Sequence, residues 1–169
     1  MIFEKTLLPD EMYPNFECVT PEHLASLGIK YIFSDIDNTL ATYDDPTPPE
    51  NVVEWCEKIN EAGIKIAFVS NNNRERVELF NRDFGYVAYP KAGKPLTGKL
   101  SRAMADLGAT PENSVLLGDQ LLTDAAAGNR AGMYVIIVPP IKDKTSLFFR
   151  FKRWLEKPYV KKYNKMNSK

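Results

Sequence analysis

The segment Tyr31-Ile32-Phe33-Ser34-Asp35-Ile36-Asp37-Asn38-Thr39-Leu40 joins a short apolar run to two aspartates that stand two positions apart. A carboxylate beside a buried strand is costly unless it is paired or bound to a metal ion. At the carboxyl end of a parallel strand, however, such a group lies where open α/β sheets bind their ligands. The segment therefore predicts metal-assisted chemistry on an anionic substrate.

Short apolar runs alternate with amphipathic helical patterns along most of the chain, which is typical of a parallel sheet with crossover helices. The predicted strands cover residues 31–34, 64–69, 86–89, 114–117 and 134–138. The predicted helices cover residues 20–28, 50–62, 72–84, 96–107 and 123–131. We expect an α/β fold, a Rossmann-like three-layer sandwich with a mainly parallel sheet.

The chain has 169 residues, of which 44% are hydrophobic, and this is enough for one domain with a sizeable core. No apolar run approaches the ~20 residues of a membrane-spanning helix, and the acidic N-terminal region lacks a signal-peptide pattern. We therefore expect a cytoplasmic protein. Cys18 and Cys56 lack metal-ligand spacing and are expected to be reduced thiols. Because His23 is the only histidine, acid–base chemistry must fall on carboxylates.

The net charge of zero hides a basic C-terminal tail. Residues 142–169 carry ten basic and two acidic side chains, which leaves this tail at +8 and residues 1–141 at −8. We expect a catalytic domain over residues 1–141, followed by this amphipathic tail. Within it, a short predicted helix over 145–155 places apolar side chains on one face: Leu147, Phe151, Trp154 and Leu155. The helix could pack on the domain, lie on an anionic membrane surface at the inner face of a membrane, or contact RNA or ribosomes.

Polar residues follow the predicted strands at the points where the strands end. Asp35 and Asp37 follow the first strand, and the hydroxyl and amide of Ser70-Asn71 follow the second. A lysine, either Lys91 or Lys94, comes after the third. The fourth is followed by Asp119 and Asp124. Because parallel strands bring these ends to one edge of the sheet, several carboxylates, a lysine and a hydroxyl are expected to share a cleft. Such oxygen ligands suit Mg²⁺, which commonly binds substrate phosphate as well.

Four stretches of this sequence resemble the four motifs of the haloacid dehalogenase (HAD) superfamily phosphatases, in the same order. They are Asp35-Ile36-Asp37-Asn38-Thr39-Leu40, Val69-Ser70-Asn71, Lys94-Pro95 and Gly118-Asp119-Gln120-Leu121-Leu122-Thr123-Asp124. The resemblance covers about residues 30–140. The form of the fourth motif and the chain length resemble subclass IIIA, the YqeG-type branch, which is similar to phosphatidylglycerophosphate phosphatases.

The resemblance implies catalytic roles for three residues. Asp35 would be the nucleophile and would form an aspartyl-phosphate. Asp37 would protonate the leaving oxygen and then activate water. Lys94 would offset the charge between Asp35 and the phosphate.

The resemblance also implies which residues bind substrate and metal. Ser70 and Asn71 would hydrogen-bond the transferring phosphoryl group, and Thr39 would hold Asp37 and the loop of this substrate site. The Mg²⁺ ligands would be Asp35, Asp37 (through its backbone carbonyl) and Asp119, and Asp124 would be either a further ligand or a hydrogen-bonding partner of a ligand.

The gaps between the motifs leave no room for a cap domain. Residues 37–70 hold one loop and one helix, and residues 70–94 hold one helix and one short strand. We therefore expect a HAD-like core without a cap and an open site suited to a large or membrane-borne phosphorylated substrate. The favoured substrate is phosphatidylglycerophosphate, whose headgroup phosphate could reach such a site.

Three other functions fit part of the pattern. The enzyme could dephosphorylate a protein or a nucleic acid, or a HAD-like binding protein could dock RNA or ribosomes through the basic tail. A phosphoryl-accepting receiver domain also places acidic residues, a hydroxyl and a lysine on a parallel sheet. Its acidic pair would be adjacent in sequence, however, unlike Asp35 and Asp37.

Overall fold

A computed structural model describes residues 2–143 and 145–168 of the chain. It contains one six-stranded sheet in which every pair of neighbours is parallel. In chain order, the strands are β1 (Glu11–Met12), β2 (Tyr31–Ser34), β3 (Lys65–Val69), β4 (Val87–Tyr89), β5 (Ser114–Gly118) and β6 (Tyr134–Ile137). Their order across the sheet is β1-β6-β5-β2-β3-β4. The predicted first strand, β2, therefore lies between β3 and β5. Its carboxyl end lies near the middle of the edge at which the parallel strands end.

Helices cover both faces of this sheet. They are α1 (Ile2–Leu7), α2 (Pro21–Ser26), α3 (Glu50–Glu61), α4 (Arg74–Asn81), α5 (Gly98–Leu107), α6 (Ala126–Ala131) and α7 (Leu147–Asn167). Successive residues of a strand point to opposite faces. Accordingly, Ile32 of β2 packs in one core with α2, α3 and α4, whereas Phe33 packs in a second core with α5 and α6. The predicted three-layer α/β fold is confirmed.

Local signals in the sequence account for several helix ends. Thr20 caps α2 by accepting a hydrogen bond from His23 N, and Pro21 occupies the first turn, where it needs no donor. Asn73 caps α4, because its side chain accepts from Arg76 N. Gly108 ends α5 with a φ of +68°, a conformation that favours glycine.

The structure differs from the prediction at two places, the strand that pairs with β6 and the helix that follows β5. Strand β1 was not predicted, because two residues carry no periodic pattern; it pairs with β6 next to Asp10, whose carboxylate accepts from Val135 N. The predicted helix over 123–131 is a π-helical turn (Leu121–Ala125) followed by α6. Its wide turn lets the Asp124 carboxylate accept from the backbone nitrogens of Asp119 and Gln120.

The basic tail forms one 21-residue helix, α7, that lies on the domain. The prediction of a helix ending near residue 155 was too short, since α7 continues past Pro158. Glu156 accepts a hydrogen bond from Leu122 N at 3.1 Å, and Tyr163 accepts one from Met12 N at 2.9 Å. Two bases counted in the tail, Lys144 and Lys169, lie outside the described residues.

Two further features concern the surroundings of the site. Residues 37–94, all of which are described, contain only α3, β3, α4, β4 and their loops, so no cap domain is inserted there. Among the residues that the structure describes, no helix has both the length and the apolar character needed to cross a bilayer.

Candidate active site

The ends of the central strands converge on one pocket of about 320 Å³. Asp35 and Asp37 reach it from the end of β2, and Ser70 reaches it from the end of β3. Lys94 enters from the loop after β4. The motifs that were predicted to share a cleft are therefore brought together at the carboxyl edge of the sheet.

Three buried carboxylates form a compact cluster beside this pocket. Oxygens of Asp35, Asp119 and Asp124 all lie within 4.8 Å of one another. Burial, together with the neighbouring carboxylates of Asp124 and Asp37, raises the pKa of Asp35 to about 7 despite the opposing effect of Lys94. Burial and the charges of Asp124 and Asp35 also raise the pKa of Asp119 well above its ordinary value, against Arg153 and Lys94. The carboxylates of this cluster outnumber the cationic side chains paired with them, Lys94 and Arg153, so negative charge is in excess.

Lys94 is the lysine of this cluster. Its Nζ lies 2.6 Å from Asp124 Oδ1 and 3.3 Å from Asp35 Oδ1. Burial alone would lower the pKa of Lys94, but the charges of these two aspartates outweigh it and raise the pKa. Lys91, the other lysine that the sequence left open, is exposed. Asn71 fixes the lysine loop, since its side chain accepts from Lys94 N at 2.8 Å and donates to Lys94 O at 3.0 Å.

Asp124 occupies its position because Gly118 carries no side chain. A Cβ at Gly118 would lie 2.4 Å from Asp124 Cβ and Cγ, closer than atoms can approach. The second oxygen of Asp124, Oδ2, accepts from the backbone nitrogens of Asp119 and Gln120, each at 3.1 Å. The glycine of the fourth motif thus places this carboxylate against the end of β5.

Asp37 is held by two residues that the sequence did not indicate. Arg76 Nε donates to Asp37 Oδ1 at 3.1 Å, and Asn72 Nδ2 donates to Asp37 Oδ2 at 2.8 Å. Arg76 also donates to the carbonyls of Thr42 and Pro46, which connects α4 to the loop after the first motif. The sequence feature that could have indicated this contact is the position of Arg76, which lies in the first turn of the helix that follows the second motif.

Thr39 lies at a different place from the one expected. Its hydroxyl donates to Asp119 Oδ1 at 3.2 Å instead of holding Asp37, and Thr39 is buried away from the pocket lining. Ser70 does line the pocket, and its Oγ accepts from Asn72 N at 3.1 Å.

A residue of the tail completes the surroundings of Asp119. Arg153 of α7 places Nη2 2.9 Å from Asp119 Oδ2 and donates through Nη1 to the Asp119 carbonyl at 3.0 Å. Its guanidinium also lies 5.1 Å from the ring centroid of Phe149. Sequence reasoning counted Arg153 only as a tail charge, because nothing in the local pattern showed that α7 lies on this site.

The donor set fits a divalent cation. The cluster offers three carboxylates, and the described residues supply Asp35 Oδ1 with no contact from a donor beyond that of Lys94 Nζ at 3.3 Å. Hard oxygen ligands of this kind suit a small divalent metal ion, whose charge would offset the excess described above. Asp37 does not join this group of carboxylates, because its side chain is directed to Arg76 and Asn72.

Comparison with known proteins agrees with the geometry. Residues 16–132 match the model of a hydrolase family, the haloacid dehalogenase-like hydrolases. The chain belongs to this family. It is 40% identical, over 156 residues, to "Probable phosphatase YqeG" from Bacillus subtilis (strain 168), covering 92% of this chain and 91% of that protein. The prediction of a hydrolase of the phosphatase type is confirmed at the level of the family.

Two solved structures are similar to this chain in fold. An uncharacterized protein from Listeria monocytogenes serotype 4b superposes with a TM-score of 0.56 at 22% identity, covering 70% of this chain and 85% of that one. The cobalt-bound deoxy-D-mannose-octulosonate 8-phosphate phosphatase from Haemophilus influenzae superposes with a TM-score of 0.52 at 15% identity, covering 84% and 95%. At these identities the similarity concerns the fold alone.

Proposed function

We propose that this HAD-family protein is a Mg²⁺-dependent phosphomonoester hydrolase that forms a phosphoryl intermediate on Asp35. The observation that carries the proposal is the buried group of Asp35, Lys94, Asp119 and Asp124, of which Asp35 and Lys94 line one pocket. Its carboxylates suit a cation, and its lysine lies where it can contact both the nucleophile and a phosphate oxygen. A solved relative of the same fold is a cobalt-bound phosphatase, which accords with a divalent metal here.

The proposed reaction has two steps. Asp35 attacks phosphorus, the bond to the leaving oxygen breaks, and Asp37 gives that oxygen a proton. Asp37 then takes a proton from water, whose oxygen bonds to phosphorus as the bond to Asp35 breaks. Arg76 and Asn72 orient Asp37 for both transfers, and Ser70, Asn71 and Lys94 hold the phosphoryl oxygens. Mg²⁺ held by Asp35, Asp119, Asp124 and the Asp37 carbonyl would supply positive charge beside the phosphate.

Hydrolysis of p-nitrophenyl phosphate tests this reaction. We expect Mg²⁺-dependent turnover by the natural chain and a loss of about three orders of magnitude or more in Asp35→Asn. Asp83→Asn is the matched control, because Asp83 is exposed and lies away from the pocket. The proposal fails if the natural chain is inactive with Mg²⁺ or if Asp35→Asn is as active as the control.

The favoured substrate is phosphatidylglycerophosphate. This proposal is supported by the resemblance of the motifs to the YqeG-type branch and by the 40% identity to the Bacillus subtilis protein "Probable phosphatase YqeG". It is also supported by the absence of an inserted cap domain from residues 37–94, all of which are described. A panel comparing this lipid with phosphoproteins and nucleotides tests the assignment. We expect the lipid to have the highest kcat/KM; a flat profile, or a preference for a phosphoprotein or a nucleotide, would contradict it.

The tail offers a means of reaching such a lipid. In this proposal, residues 1–141 form the catalytic domain, and residues 142–169 form a segment that follows it in the chain. Large apolar side chains of α7 are exposed next to basic ones, with Leu147 81%, Phe148 68% and Trp154 62% exposed. Aromatic and basic side chains on one helix suit the interface of an anionic bilayer, at the cytoplasmic face of a membrane.

Vesicle sedimentation tests this contact. We expect binding to vesicles that contain phosphatidylglycerol, weaker binding to phosphatidylcholine alone, and loss of binding in Trp154→Glu. Lys58→Glu, on the exposed side of α3, is the charge control. Binding to RNA that persists in Trp154→Glu, without vesicle binding, would contradict the membrane assignment.

A further inference from the structure

The tail helix forms part of the wall of the candidate active site. Ser146, Phe148, Phe149 and Lys152 line the same pocket as Asp35. The pocket therefore receives residues from beyond the four motifs, although no cap is inserted between those motifs. A phosphate bound at Asp35 would place its leaving group in the remaining space of this pocket, which these four residues help to line.

This wall is anchored on the domain. Arg153 is bound to Asp119 through two contacts, and Glu156, which is 2% exposed, accepts from Leu122 N. Arg153 also bonds Glu156 at 2.9 Å. Lys152 directly precedes Arg153, so these contacts fix the part of α7 that presents Lys152 to the pocket.

Lys152 differs from the other lysine of the pocket in its partners. The charge of Lys94 is matched by Asp124 and Asp35. Within residues 2–143 and 145–168, Lys152 forms no ion pair with a carboxylate; its Nζ lies 4.8 Å from the ring centroid of Phe148. A cation over an aromatic ring can still bind an anion at its open side.

Gln120 adds a second polar position to the lining of the same pocket. Its Oε1 is buried, and no described residue donates a hydrogen bond to it. A buried acceptor without a donor is costly, and a hydroxyl group of a bound molecule could relieve that cost. Together, Lys152 and Gln120 make the pocket suited to a hydroxylated, negatively charged group.

We infer that Lys152 and Phe148 form a subsite for the leaving group, which recognises a second anionic group on the alcohol that hydrolysis releases. The inference rests on the proposed phosphatase function and adds to it a substrate class: a phosphomonoester whose alcohol carries a phosphate or a phosphodiester. Lys152 binds this second charge, while Phe148 packs against the carbon chain between the two charges.

The test compares two soluble substrates that differ only in the second charge, glycerol 1-phosphate and glycerol 1,3-bisphosphate. We expect the natural chain to prefer the bisphosphate in kcat/KM, and Lys152→Met to lower this preference roughly fivefold to tenfold. The loss should lie mainly in KM, because the contact is made with both the ground state and the transition state. Lys161→Met is the control, since Lys161 is exposed on α7 and does not line the pocket.

The possible outcomes distinguish a failure of the proposed subsite from a failure of the proposed phosphatase reaction. A preference that is unchanged in Lys152→Met would overturn the subsite and leave the phosphatase intact. Hydrolysis of p-nitrophenyl phosphate but of neither glycerol compound would likewise overturn the subsite alone, whereas inactivity on p-nitrophenyl phosphate as well would contradict both. The same variants are then compared on phosphatidylglycerophosphate in phosphatidylcholine vesicles. A loss seen only with vesicles would assign Lys152 to the lipid surface and overturn its role in the pocket.

Discussion

Gly118 shows how a single residue determines the geometry of the acidic cluster. Its missing side chain leaves room for Asp124, which would otherwise lie 2.4 Å from a Cβ. The Asp124 carboxylate in turn accepts hydrogen bonds from Lys94 Nζ and from two backbone N–H groups. The spacing of Gly118 and Asp124 in the fourth motif is therefore a packing requirement as well as a chemical one.

Gly118→Ala should displace Asp124 and weaken metal-dependent activity about 10- to 100-fold, because the carboxylate and its contacts to Lys94 cannot keep their positions. The measurement is the Mg²⁺ dependence of phosphate release. Gly98→Ala is the control: Gly98 is exposed at the start of α5, and a Cβ there meets no atom within 4 Å. Equal Mg²⁺ dependence in the two variants would show that Asp124 does not need the space at Gly118.

The two cysteines should differ in reactivity. Cys18 is exposed and Cys56 is buried, and burial raises the pKa of the Cys56 thiol from 9.0 to about 12. A disulfide reagent should modify Cys18 rapidly in the native protein and Cys56 only after unfolding. Cys18→Ala is the control and should have no rapidly reacting thiol. Rapid modification of Cys56 in that variant would contradict its burial.

The raised pKa of the Cys56 thiol also affects the free energy of unfolding at high pH. Between pH 9.0 and about 12, the unfolded chain loses the Cys56 proton while the folded chain keeps it. The unfolded state then binds fewer protons, so this group makes the free energy of unfolding fall as pH rises through that window. Cys56→Ala should reduce the fall in denaturant titrations, whereas Cys18→Ala should leave it unchanged. An unchanged fall in Cys56→Ala would contradict this assignment.

At the residue scale, the sequence predicted those site residues that directly follow a strand. The carboxylates of Asp35 and Asp119 could be placed because a parallel sheet determines where its strands end. Arg76, Arg153 and Lys152 could not be placed, because they lie on helices and their contacts depend on how those helices pack. Local spacing contains no information on that packing.

Among the elements, α7 carries the largest difference between sequence and structure. Its pattern predicted a helix with an apolar face and left open what that face contacts, but it did not predict that Arg153 pairs with Asp119. The π-helical turn before α6 was missed for a similar reason, since its wide turn depends on the hydrogen bonds of Asp124. Both differences arise from contacts between residues far apart in sequence or from side chains that bond the backbone.

Arg153→Met should loosen α7 and leave the buried Asp119 carboxylate without its guanidinium. We expect the free energy of unfolding to fall by about 2 kcal/mol, because a charged hydrogen-bonded partner of a buried group is lost. Amide hydrogen exchange over residues 147–167 should become faster. Arg150→Met, at an exposed position of the same helix, is the control. Unchanged exchange in Arg153→Met would mean that this ion pair does not hold α7.

For the whole molecule, the alternation of strands and helices was sufficient to predict the three layers and the place of the site. Strand β2 lies between β3 and β5, so the first, second and fourth motifs meet at neighbouring strand ends. The addition of β1 at the edge of the sheet was not predictable from two residues. It changes neither the order of the central strands nor the position of Asp35.

Phosphorylation of Asp35 during turnover underlies the whole proposed reaction. It is tested by adding borohydride to the enzyme while it hydrolyses substrate with Mg²⁺, then locating the modified residue by mass spectrometry, since borohydride reduces an aspartyl-phosphate to homoserine. We expect homoserine at position 35 and none in Asp35→Asn. Phosphate release without any change at position 35, or with reduction at another aspartate, would contradict it.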